Sequence, residues 1–132
     1  MRILDGEQLM VRIFIGDGDK WHHAPLHRAL LERLRREGFA GATVFHGVAG
    51  FGAGSVIHTA SLVDLSADLP VVIEVVDDEE HMDKLIAILD EMVIGGALIT
   101  MEKVHVLKYA SGKRASSLPP SPSSSPASPP KT

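Results

Sequence analysis

The sequence contains no cysteine in 132 residues. That excludes a disulfide framework, thiolate chemistry, iron–sulfur clusters and cysteine-ligated zinc. Aromatic residues are few, with four Phe, one Trp and one Tyr, and none falls in residues 111–132. That stretch instead holds eight serines and six of the eight prolines. A segment of this composition buries too little apolar surface to offset its ordering entropy. It is expected to be a disordered Ser/Pro-rich tail, which leaves residues 1–110 as one folded domain. Basic charge is also short in that domain. It carries all 17 acidic residues against 10 basic ones, and the tail adds Lys113, Arg114 and Lys131. A fold with a net charge of −7 lacks the clustered Lys and Arg that phosphate neutralisation needs, so a nucleic-acid partner is not expected. No apolar run reaches the ~18–20 residues of a membrane span, so no direct membrane insertion is expected. MRILDGEQLM has acids where a signal peptide would have its apolar stretch. The expected location is the cytoplasm.

What is present is a regular alternation of apolar segments and turn formers. Residues 8–15 are apolar on both alternating faces apart from Arg12, the pattern of a central strand covered on both sides. A turn-rich segment, 16–23, leads into a helix. Pro25 suits its first turn, Leu26, Leu30, Leu31 and Leu34 form its stripe, and Gly38 is its stop. Residues 42–50 read as a second strand and 69–77 as a third, with Glu74 its only interior charge. Residues 50–66 are too rich in Gly and Ser at the front for one regular element. A second helix starts at Asp77 or Asp78, where Asp77 and Glu80 have capping-box spacing. Its stripe is Met82, Leu85, Ile86, Leu89, Met92 and Val93, and Gly95–Gly96 end it. Residues 97–109 form the last strand.

The order β-α-β-β-α-β predicts an α+β ferredoxin-like sandwich. Two helices cover one face of a four-stranded sheet. Central strands apolar on both faces therefore predict a buried second face and an oligomer. Arg12 and Glu74 are expected to share that second face.

Four tracts stand out together: Pro25–Leu26, GFAGATVFHGVAGFGAG (38–54), IHTASLVDLSADLPVVIEVVD (57–77) and LDEMVIGGALITMEKVHVLKY (89–109). In them the sequence resembles the domain of unknown function family 190, grouped with PII-like signalling proteins. The likeness spans nearly all of residues 5–109. It implies a PII-like trimer whose sheets face a central axis, with a long mobile loop between strands two and three. It also implies a small ligand, often an adenine nucleotide, in clefts between subunits. The cleft-lining positions would be Gly47, Gly50, Gly52, Gly54, Gly95 and Gly96. A membrane transport protein is implied as a partner. The sequence departs from true PII proteins in one respect: no basic, glycine-rich turn is present, and Ala97 and Leu98 rather than a lysine follow Gly95–Gly96.

Read without the resemblance, the candidate residues have competing explanations. Gly50, Gly52 and Gly54 suit a phosphate-cradling nest or a hinge for the loop. His58 and His46 suit phosphate contacts or ordinary polar positions. His23 and His27 lie four apart across the helix start, with His22 adjacent, so two rings could face one metal ion. Solvated helix-entry histidines explain them more simply, since no carboxylate has an evident place as a third ligand. Trp21 could stack on a base or pack on its own loop. Ser55, Ser61 and Ser66 sit in no nucleophile elbow. The acids from Asp77 to Glu80 are explained by the helix terminus. No catalytic constellation assembles, and an enzyme is not expected. Three functions remain: a trimeric ligand sensor acting through the 50–66 loop, a metal-binding ferredoxin-like trimer of the metal-tolerance kind resting on His22, His23 and His27, and a small hydrolase with only scattered residues behind it.

Overall fold

A computed structural model describes residues 3–52, 57–59 and 68–110. The Ser/Pro-rich stretch from 111 onward lies outside the described residues, as do 53–56 and 60–67 of the long connection. Four strands build the sheet: β1 (Gly6–Gly16), β2 (Thr43–His46), β3 (Pro70–Asp77) and β4 (Leu98–Val106). Helix α1 (Leu26–Arg36) follows β1, and α2 (Glu79–Met92) follows β3. The sheet order is β2-β3-β1-β4, with antiparallel pairing throughout. This is the ferredoxin-like arrangement expected from the element order.

Side chains of alternate strand residues separate onto two faces. Val11, Ile13 and Ile15 of β1 and Val71, Ile73 and Val75 of β3 are buried toward the helices. They meet Leu26, Leu30 and Leu34 of α1 and Met82, Leu85 and Leu89 of α2. Each fully buried Leu or Ile stabilises the fold by about 1.5–3 kcal/mol relative to an exposed one. The second face carries Phe14, Val72 and Val76, all half-buried, with Phe45 and Leu98 exposed, and neither helix covers it. Arg12 lies opposite Glu74 in the β1–β3 register and donates from Nε to its carboxylate at 3.0 Å. A second Arg12 nitrogen reaches Glu102 at 3.3 Å. The two interior charges thus pair on the open face, as the sequence predicts.

Helix boundaries follow local chemistry, with two corrections. Gly38 adopts φ +85° after α1. Its N–H bonds to the Arg35 carbonyl, and that of Phe39 reaches Leu34. These are the two bonds of a Schellman stop, which glycine closes without a Cβ penalty. At α2 the cap is Asp78, not Asp77: its side chain accepts from the His81 backbone N–H at 2.8 Å. Asp77 is fully buried and does something else. Its carboxylate accepts from the backbone N–H of Ala40 and of Asp78, both at 2.8 Å. The second correction concerns the α2 stripe. Ile86 is exposed and Ile88 is buried, because the helix turns the 85–88–89–92 edge toward the sheet. Arg33 ties the two helices together through Glu91 and also pairs with Glu37. The hydrogen bond from Arg33 holds the Glu91 carboxyl below its usual range. That contribution is present above the unfolded carboxyl's pKa and is lost as pH falls through the lowered value.

The segment before α1 is a two-residue hairpin, with Lys20 opposite Pro25 and Trp21 opposite Ala24. His22 and His23 occupy its corners at φ +48° and +77°. Hairpins of this size favour such angles because they match the strand twist, but they normally use Asn or Gly there. His22 stacks on Trp21 with ring centroids 4.2 Å apart. His23→Gly should relieve about 1–2 kcal/mol of left-handed strain against about 0.5–1 kcal/mol of added chain entropy. A net gain is therefore expected. Urea unfolding checks it: the midpoint should rise with an unchanged slope.

Candidate functional site

β1 and β2 end, and β3 and β4 begin, at one end of the sheet. Both helices also have a terminus there: α1 begins and α2 finishes. Among the described residues, the expected site positions Gly47, Gly50, Gly52, His58, Gly95 and Gly96 fall at this end. Backbone bonds fasten it. The Asp17 N–H donates to the Leu69 carbonyl at 2.8 Å, and the Gly47 N–H to the Pro70 carbonyl at 2.7 Å. Gly18 donates to the Asp68 carboxylate at 2.5 Å.

β2 stops at His46, four residues earlier than the pattern of 42–50 predicts. Gly47 shows why. A Cβ there would lie 2.7 Å from the Pro70 ring and 3.3 Å from its carbonyl oxygen. Gly50 would meet the same ring at 3.0 Å. The chain crosses Pro70 closely, and Ala49–Gly50 then pairs with His58–Thr59 in a separate two-stranded ribbon. Two glycines in the expected site thus have a packing reason of their own. Gly47→Ala is expected to cost about 1–3 kcal/mol, because the proline ring cannot turn away as a flexible side chain would. Chemical denaturation tests this, and an unchanged midpoint would mean the β2 end simply shifts.

Gly52 is open, with nothing among the described residues within 4 Å of its would-be Cβ. Gly54 lies outside the described residues. Gly95 and Gly96 are equally open and precede β4. They lie at the same end as Gly47 but beside the opposite edge of the sheet. Three strand spacings, about 14 Å, separate those edges. One chain therefore does not bring the two glycine groups together.

The histidines fall differently from expectation. His23 precedes α1, in the hairpin corner, so it has no helical i, i+4 relation to His27. His27 instead approaches His46 and Asp17. The His46 Nε2 lies 2.9 Å from Asp17 Oδ1, and the His27 Nδ1 lies 4.0 Å from the same oxygen. The two rings meet edge to face at 5.4 Å. Sequence reasoning missed Asp17 because ten and nineteen residues separate the three positions. A second carboxylate–histidine group, Asp77, Asp78 and His81, sits near the start of α2. Its carboxylates hold backbone N–H groups, and it is explained by folding.

A groove of about 270 Å³ opens at this end beside Trp21, Arg28 and Met92, and two others lie elsewhere. One of about 340 Å³ runs between α1 and Phe39–Ala42. Another, of about 220 Å³, lies beside Thr43, Val76, Val106 and Tyr109, at the opposite end of the sheet.

Comparison with known proteins agrees with this architecture. The family model DUF190, described as uncharacterized ACR, matches residues 8–106. A UPF0166 protein of Methanocaldococcus jannaschii is 34% identical over 99 residues, covering 75% of this chain and 91% of that protein. A UPF0166 protein of Aquifex aeolicus is 35% identical over 109 residues, covering 81% and 98%. Among solved structures, CPII from Thiomonas intermedia K12, bound to ADP and bicarbonate, superimposes with a TM-score of 0.57 at 16% identity. The match covers 80% of this chain and 91% of CPII. The same protein with ADP, AMP and bicarbonate gives 0.56 at 15% identity. At these identities the likeness establishes a shared PII-like fold.

Proposed function

The chain belongs to the DUF190 family and has a PII-like fold, and from that premise we propose that it is a non-enzymatic regulatory protein. It works as a homotrimer that takes a small phosphate-bearing ligand, an adenine nucleotide, into clefts between subunits. The observation that carries this reading is the separation of the glycine groups. Gly47, Gly50 and Gly52 flank one sheet edge and Gly95–Gly96 the other, at the same end. Neighbouring copies placed edge to edge would join them into one cleft, where the open backbone at Gly52, Gly95 and Gly96 would let an anion approach closely. The apolar second face, with Phe45 and Leu98 exposed, supports assembly through the sheet. Nucleotide-bound CPII supports the ligand class. On this reading Gly54 and His58 belong to the ligand-binding loop, whose ordering in turn engages a partner such as a membrane transport protein. Among the described residues no helix is long and apolar enough to cross a membrane.

The test is a thermal melt of the full chain with ADP, AMP and ATP, paired with sedimentation. At 100 times the dissociation constant, a site should add about 2.7 kcal/mol of stability. A trimer that melts higher with nucleotide is expected. A trimer indifferent to all three would remove the nucleotide, and a monomer would remove the cleft.

A further inference from the structure

We propose that Asp17, His27 and His46 form a binding site for a divalent transition-metal ion of the zinc type. The three residues come from the end of β1, the first turn of α1 and the end of β2. One ligand atom from each lies within 4.8 Å of the others. Around a tetrahedral zinc ion with bonds of about 2.0–2.2 Å, neighbouring ligand atoms are roughly 3.3–3.5 Å apart. The 2.9 Å and 4.0 Å separations found here straddle that value. Small side-chain rotations complete the geometry.

The second observation is the His27 ring. Its Nδ1 is buried and has no hydrogen-bond partner among the described residues. A buried, unsatisfied polar atom is costly, and a metal ion would use the lone pair it presents. Two imidazoles and one carboxylate form a donor set for borderline metals. Calcium and magnesium prefer oxygen alone. The supporting backbone is fixed: Asp17 is held to Leu69, and the residue after His46 to Pro70. Asp17 and His46 are half-exposed, so an ion can enter and keep a fourth, open position. The Asp77–Asp78–His81 group lacks this character, because its carboxylates already serve backbone donors.

The inference is independent of the nucleotide reading, and its test uses zinc alone. Full-length protein, stripped with a chelator, is titrated with zinc and separately with cobalt. One ion per chain is expected, with the visible absorption of tetrahedral cobalt. Asp17→Asn and His46→Ala should each weaken binding at least tenfold, by analogy with the loss of a ligand or its support. Both residues are half-exposed, so these variants should fold, and circular dichroism confirms it. A His22→Ala, His23→Ala double variant should bind as the parent does. The proposal is overturned if the parent binds no stoichiometric zinc. It is equally overturned if His46→Ala retains parental affinity, or if loss follows His22 and His23 instead.

Discussion

Asp77→Ala is expected to lower stability by about 3 kcal/mol, although Asp77 touches no proposed ligand. The side chain is fully buried, and its two oxygens hold the N–H groups of Ala40 and Asp78. Each buried donor left without a partner costs about 1–3 kcal/mol. Ala40 sits in the turn from α1 to β2, and its carbonyl accepts from the Tyr109 hydroxyl at 2.8 Å. The carboxylate therefore pins three parts of the chain at the end of the sheet remote from the metal site. Asp77→Asn keeps the shape and one acceptor, so about half the loss is expected. For a domain of this size, 3 kcal/mol corresponds to a melting shift of about 10–20 °C. A shift under 3 °C for the alanine variant would mean that water takes over both donors.

Arg12→Ala carries the other large effect, and it depends on assembly. In a single chain the Arg12, Glu74 and Glu102 side chains are 39%, 30% and 57% exposed. Exposed pairs contribute about 0–1 kcal/mol. If copies close over this face, Glu74 becomes a buried carboxylate whose cation has been deleted, at about 3–5 kcal/mol. The expected result is a chain that melts much lower and sediments as a smaller species. Arg12→Lys should recover only part, since one ammonium cannot reach two carboxylates in the fork geometry of a guanidinium. A trimer of parental stability with alanine at position 12 would place the pair outside the interface.

The fold was largely legible because its signals are local or periodic. The both-face apolar runs around Arg12 and Glu74 mark the central strands, and the Leu26–Leu30–Leu34 stripe marks α1. The Arg12–Glu74 pairing followed from topology alone. The errors came where a long-range contact outvotes local pattern. β2 reads as continuing to Gly50, but the Pro70 ring lies against Gly47, and only tertiary structure reveals it. Asp77 has the spacing of a cap, yet the N–H of Ala40, thirty-seven residues earlier, claims its buried carboxylate. Ile86 and Ile88 are both apolar, and the roll of α2 on the sheet decides between them. At the candidate site, His27 and His46 stand out singly in the sequence, but Asp17 and the convergence of the three do not. His23 looked closer in sequence, whereas the hairpin corner sets it apart and the ends of β1 and β2 supply Asp17 and His46.

The strand order also governs how the chain reaches this state. β1 is one of the two interior strands of the sheet, and both its neighbours, β3 and β4, come from far along the chain. The Arg12 bonds to Glu74 and Glu102 span 62 and 90 residues. Such separations raise contact order, because loop closure must precede the contacts that reward it, and folding slows accordingly. During synthesis at roughly 5–20 residues per second, β1 emerges on the order of 3–10 s before β3 can pair with it. Over that interval a strand apolar on both faces has no native partner. The nascent chain's exposure to aggregation is therefore set by elongation rate, and slowing translation between Gly16 and Pro70 lengthens it in proportion.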